Sequence, residues 1–230
     1  MNAPLVDLDF ARPLGQGRYA ALFVWLHLPN RQVDALLPPA FSRAACPFSP
    51  GGSHPLVLSI GRQSGVGPAH WPGKGWAYNE AILTLPWLHH QGQLCTWPMR
   101  LWLDRRRPVW LGRPYGFPKQ RSPLQVSQGQ AEVPGVFSVQ HQPIHGEART
   151  RLRRAGVLAG LGQPLVANAS GHPVRSWMDW QLQDAELTSA AVQLKSALPW
   201  LPNLVLGEDS PQGLAWFMTH SWTLTAPERL

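Results

Sequence analysis

With 230 residues, 44% of them hydrophobic, and 12 tryptophans, the chain has material for one large domain with a substantial core. Its 24 prolines and 21 glycines make it turn-rich without reaching a low-complexity composition. The formal net charge of +7 would suit nucleic acid or an anionic substrate, yet the dense basic runs, residues 105–107 and 149–154, carry neither interleaved aromatic residues nor a helix-turn-helix pattern, so nucleic-acid binding is not expected.

Residues 1–10 lack a basic start followed by an apolar core. The longest apolar run, residues 19–28, is too short to span a bilayer, so a soluble, cytoplasmic protein with no membrane partner is expected. That run is rich in large residues and reads as a buried strand. A short helix over residues 32–37 follows, ended by Pro38 and Pro39. Residues 38–55 read as loop and 54–60 as the next strand.

Residues 62–75 hold four glycines and two prolines and read as an irregular segment long enough to cover a pocket. Lys74, in no phosphate-loop context, is assigned to solvent. Residues 76–87 return to strand character. Alternation puts Tyr78, Glu80, Ile82 and Thr84 on one face, so a glutamate stands among apolar and aromatic neighbours. Residues 93–103 form its partner strand, and residues 109–111 lead onward.

Downstream, residues 124–128, 136–142, 148–153, 176–187 and 216–225 read as strands, and 190–198 as the clearest later helix. Frequent strands with few helices predict a mainly β (α+β) fold: antiparallel sheets in a barrel or double-sheet sandwich around a central cavity, with few short helices. Cys46 and Cys95 are read as free thiols. His89 and His90 are adjacent on a strand and point to opposite faces, so no metal site is read from them.

The stretch Gly112-Arg-Pro-Tyr-Gly-Phe-Pro-Lys119-Gln120 places one lysine behind two prolines, two glycines and two aromatic rings. The prolines fix φ and Gly116 permits a tight bend. An apolar setting penalises an ammonium, and an unprotonated amine is a nucleophile towards carbonyls. Local composition alone also fits a solvated turn.

This stretch resembles the Gly-Arg-Glu…Gly-Phe-Pro-Lys-Lys signature of the acetoacetate decarboxylase family. Tyr78-Asn79-Glu80, Leu101-Trp102-Leu103-Asp104 and Gly112-Arg113 resemble the upstream pattern at compatible spacing. The resemblance covers about residues 17–121. It implies that Lys119 forms a Schiff base with a small keto acid, that Glu80 shares its cavity and handles protons, and that Arg18, Tyr78 and Phe117 contact the substrate, with Arg18 on its carboxylate. It also implies a homo-oligomer and chemistry without metal or organic cofactor, because the iminium is itself the electron sink.

Gln120 replaces the family's second lysine, Pro114 replaces its glutamate, the turn is one residue shorter, and a further carboxylate falls on or near Ile60. Decarboxylation of a β-keto acid, aldol or dehydration chemistry, and binding without turnover therefore all stay open.

Overall fold

The computed structural model describes residues 14–70, 75–144, 157–169, 171–181, 185–207 and 210–230. Four long strands occupy its first half: β1 (Gly15–Pro29), β3 (Ser53–Pro68), β4 (Trp76–His90) and β5 (Gln93–Leu103). Helix α1 (Asn30–Leu36) and the short strand β2 (Phe41–Arg43) lie between β1 and β3. After β5 come helix α2 (Arg106–Leu111), a single 3-10 turn (Arg113–Tyr115) and β6 (Lys119–Arg121).

Short strands β7 (Gln125–Ser127), β8 (Gln130–Val133) and β9 (Phe137–Pro143) follow. Helix α3 (Val157–Leu161) precedes β10 (Leu165–Ala169), β11 (His172–Ser176) and β12 (Met178–Asp179). The chain ends with β13 (Glu186–Ser196), β14 (Leu204–Leu206), β15 (Gly213–Leu224) and β16 (Glu228–Arg229). The fold is mainly β with few short helices, as the strand spacing predicts.

All strands join one sheet in the order β16-β11-β10-β5-β4-β3-β1-β15-β13-β9-β8-β7, with β2, β6, β12 and β14 as side branches. Pairing is antiparallel except where β5 meets β10 and β6. The sheet stays open, with no ladder between its ends among the described residues. It curls instead. Leu22, Val24 and Leu26 of β1 share a buried cluster with Val133, Val139 and Val192 from β8, β9 and β13. The next residues along β1, Tyr19, Phe23 and Trp25, point the other way into a second cluster with Trp216 and Met218 of β15. Both faces of β1 are thus buried, which is why its sequence is almost continuously apolar.

Three expectations are corrected. The segment over 62–75 is not a loop throughout, because β3 runs on to Pro68. Its glycines serve an irregularity in the ladder: register with β4 shifts between Gln63 and Val66, and Gly65 takes φ 60. Lys74 lies outside the described residues.

The helix expected over 190–198 is strand β13, which pairs with β9, β14 and β15. Ala190, Val192 and Leu194 are buried while Gln193 and Lys195 are exposed. Tertiary pairing outweighs the helix propensity of Ala, Leu and Lys here. The strand expected over 176–187 is interrupted as β11 ends and β12 begins, and residues 148–153 lie outside the described part. Helices α2 and α3 had no counterpart in the sequence reading.

Candidate active site

Strand β4 supplies one wall of a buried cavity of about 100 Å³, and alternation aims Tyr78, Glu80, Ile82 and Thr84 into it as expected. Lys119 arrives from the opposite direction. Gly116 follows the 3-10 turn with φ 67, which reverses the chain, and Pro118 then leads into β6. Lys119 opens β6 alongside Leu101 of β5, in a parallel pairing two strands from β3. Phe117 stacks on Tyr115 with centroids 5.4 Å apart and lies 5.9 Å from Lys119 Nζ.

Gly112 is the other half of this placement. A Cβ on it would lie 2.5 Å from Lys119 Cδ and 2.8 Å from Cε, so the lysine stem runs through space that a side chain would fill.

The amine reaches to 3.7 Å from Glu80 Oε1, close enough for charge attraction and too long for a hydrogen bond. Glu80 is 3% exposed, and that oxygen has no hydrogen-bond partner. Its other oxygen is held. Gln63 Nε2 donates to Glu80 Oε2 at 2.9 Å, and Trp222 Nε1 donates to Gln63 Oε1 at 3.0 Å. Indole nitrogen can only donate, so Trp222 fixes which way the Gln63 amide points. The carboxylate is therefore gripped on one side and open on the other.

Tyr19 Oη donates to the Glu80 backbone carbonyl at 3.1 Å and lies 3.4 Å from Ser59 Oγ. Burial, with Glu80 nearby, raises the Tyr19 and Tyr78 pKa values well above 10.0, so both stay protonated. His220, 2% exposed, has neither ring nitrogen hydrogen-bonded, and burial lowers its pKa to about 4. Its ring packs 5.0 Å from Trp180 and 6.1 Å from Tyr19.

Lys119, Glu80, Tyr78 and Phe117 thus line one cavity. Arg18 does not. It is exposed on the face of β1 opposite Tyr19, because successive residues of a strand point opposite ways, and Tyr19 is the residue that faces the cavity. Ile60 likewise sits in the cluster on the far face of β3, whereas Ser59 and Gln63 line the cavity.

The sequence reading missed Gln63, Trp222, Tyr19, Met178 and Trp180 as wall residues. Gln63 was hidden by its glycine-rich surroundings. Extending the period-two pattern of Val57 and Ser59 would have found it. Among the described residues no three His, Cys, Asp or Glu side chains gather as a metal site requires, and no helix is long and apolar enough to cross a membrane.

No protein-family model and no curated protein matches the chain. Solved structures do. An acetoacetate decarboxylase-like enzyme from Sphingomonas wittichii RW1 aligns with TM-score 0.67 and 14% identity over 95% of this chain and 93% of that one. The acetoacetate decarboxylase of Legionella pneumophila aligns with TM-score 0.63 and 14% identity, covering 95% and 88%. The enduracididine biosynthesis enzyme MppR, complexed with the condensation product of pyruvate and imidazole 4-carboxaldehyde, aligns with TM-score 0.62 and 16% identity, covering 95% and 89%. The chain has the acetoacetate decarboxylase-like fold.

Proposed function

We propose that the protein is a Schiff-base-forming lyase that acts on a carbonyl substrate of the keto-acid class through Lys119. The observation that carries this reading is the approach of Lys119 Nζ to the unbonded Glu80 Oε1 inside an apolar cavity. The unprotonated amine attacks the ketone carbon to give a carbinolamine, which loses water to form an iminium.

The iminium accepts the electron pair released when a bond to the neighbouring carbon breaks. With a β-keto acid the product is carbon dioxide and an enamine; with an aldol or its adduct, cleavage or dehydration follows the same electron path. Protonation of the enamine carbon and hydrolysis then free Lys119. Glu80 Oε1 takes and returns the protons in these steps. Tyr78 and Phe117 bound the substrate beside the amine.

The test is consumption of a keto-acid panel by the native protein and by Lys119→Met. Turnover that survives in the variant removes Lys119 from the chemistry. A second reading, carbonyl binding without turnover, is favoured by one feature: Glu80 is the sole carboxylate on the cavity wall among the described residues. Saturable ligand binding with no product in either protein would select it.

A further inference from the structure

Two chambers meet at Lys119. The inner one, about 100 Å³, has Glu80, Val57, Ile82, Leu165 and Met178 in its wall. The outer one, about 320 Å³, has Val66, Trp76, Pro108, Pro114 and Tyr115. Tyr78, Phe117, Lys119, Trp222 and Leu224 border both. Glu80 borders only the inner chamber, so proton transfer belongs on that side. Leu14 and His70, both exposed, stand at the outer chamber's rim and make it the way in.

The chambers differ in what they admit. A cavity of about 150 Å³ holds a benzene ring; the inner chamber is smaller than that and the outer about twice as large. Among the described residues the outer chamber has no carboxylate and no Lys or Arg other than Lys119 itself, while its wall is largely aromatic and proline. An anionic group placed there loses its hydration with, among the described residues, no Lys or Arg left to pair with it once the carbonyl has taken Lys119, whereas an apolar group gains by burial. Arg18, on the other face of β1, offers no help.

From this we infer the substrate class within the keto acids: one whose carboxylate belongs to a short head, with an uncharged, ring-sized or branched apolar tail on the other side of the carbonyl. The carbonyl sits at Lys119, the head beside Glu80 and the tail in the outer chamber. The inference rests on the Schiff-base reading for the position of the carbonyl, and on the two chambers for the tail.

The test compares methyl ketones that share a head and differ in tail. Benzylacetone carries a phenyl group, levulinate a carboxylate and acetone no tail. Borohydride reduction of each with the full chain, followed by mapping of the Lys119 peptide, gives the concentration for half-maximal labelling. Benzylacetone is expected to need at least about tenfold less than levulinate, the scale set by burying one ring. Levulinate labelling as well as benzylacetone, or better, overturns the tail assignment while leaving the Schiff base intact.

Val66→Phe, which narrows the outer chamber, is expected to abolish the benzylacetone advantage over levulinate. An advantage that survives contradicts the outer position of the tail. Leu14→Trp, at the exposed rim, serves the same purpose if Val66→Phe does not fold.

If no ketone labels Lys119, the Schiff-base reading fails, and the chambers are still tested in Lys119→Met by quenching of tryptophan fluorescence. Saturable quenching by benzylacetone at concentrations where levulinate has no effect supports an apolar ligand. Equal quenching, or none, overturns it.

Discussion

Gln63 holds one oxygen of Glu80 at 2.9 Å and leaves the other 3.7 Å from the Lys119 amine. The amide in turn receives the Trp222 indole hydrogen at 3.0 Å, so two buried side chains, from β15 and β3, fix the Glu80 carboxylate of β4. A carboxylate so held keeps its place through a reaction cycle without reorganising. Glu80→Gln preserves size and is expected to lower turnover about 100-fold or more, while trapping of a ketone on Lys119 persists. Gln63→Leu leaves Glu80 Oε2 buried without its partner, and a loss of about 1–3 kcal/mol in urea denaturation is expected. Unchanged turnover in Glu80→Gln would remove Glu80 from proton transfer.

Gly112→Ala tests whether the lysine stem is held in a defined channel. The added methyl would lie 2.5 Å from Lys119 Cδ, so the stem must move and carry the amine with it. Displacements of about 1 Å at a reacting group can lower rates about 100-fold. Labelling of Lys119 is expected to fall at least about tenfold, with circular dichroism and melting cooperativity retained. Labelling at the native rate would mean that Gly112 does not position Lys119.

Gln120 is exposed, next to Lys119 on a strand whose successive side chains leave opposite faces. Two unit charges roughly 10 Å apart through water interact by about 0.4 kcal/mol, or about twofold in a rate or equilibrium. Gln120→Lys is therefore expected to change Lys119 labelling by less than about threefold. A change of a hundredfold would show that a neighbouring cation is the missing activator.

How much of this was legible beforehand depended on whether local pattern and tertiary pairing agreed. Glu80 could be placed because four alternate residues of β4 share its face and no glycine interrupts them. Lys119 was marked by the prolines and Gly116 that constrain its approach. Gln63 was concealed because residues 62–75, with Gly65 and Gly67, read as irregular, although both glycines lie within β3, as does Gly61, where a Cβ would strike the Ala20 carbonyl oxygen at 2.2 Å. Trp222 lay in an expected strand, but its hydrogen bond to a residue 159 positions away has no local signature. Arg18 stands one residue from the wall residue Tyr19, and in a strand one residue reverses the face.

Buried histidines give the fold a pH dependence with a definite sign. His54 donates from Nε2 to the Pro86 carbonyl at 2.9 Å, and burial lowers its pKa from 6.5 to about 4; His220 is lowered to about 4 by the same cause. Between those values the unfolded chain binds protons that the folded chain refuses. Stability therefore falls as pH drops from 6.5 towards 4, by on the order of 3 kcal/mol for each histidine, and these two groups add nothing further below that. Urea midpoints measured across the window should slope less steeply in His220→Phe. An identical slope would mean that His220 charges as readily in the folded chain as in the unfolded one.

The central claim is the covalent one, and borohydride reduction with acetoacetate and with benzylacetone, followed by peptide mapping, tests it most directly. The reading predicts a reduced adduct confined to the peptide carrying Lys119, missing from Lys119→Met, with exposed Lys195 unmodified. Lys119 left unmodified by both carbonyl compounds, or labelled no more than Lys195, would contradict it.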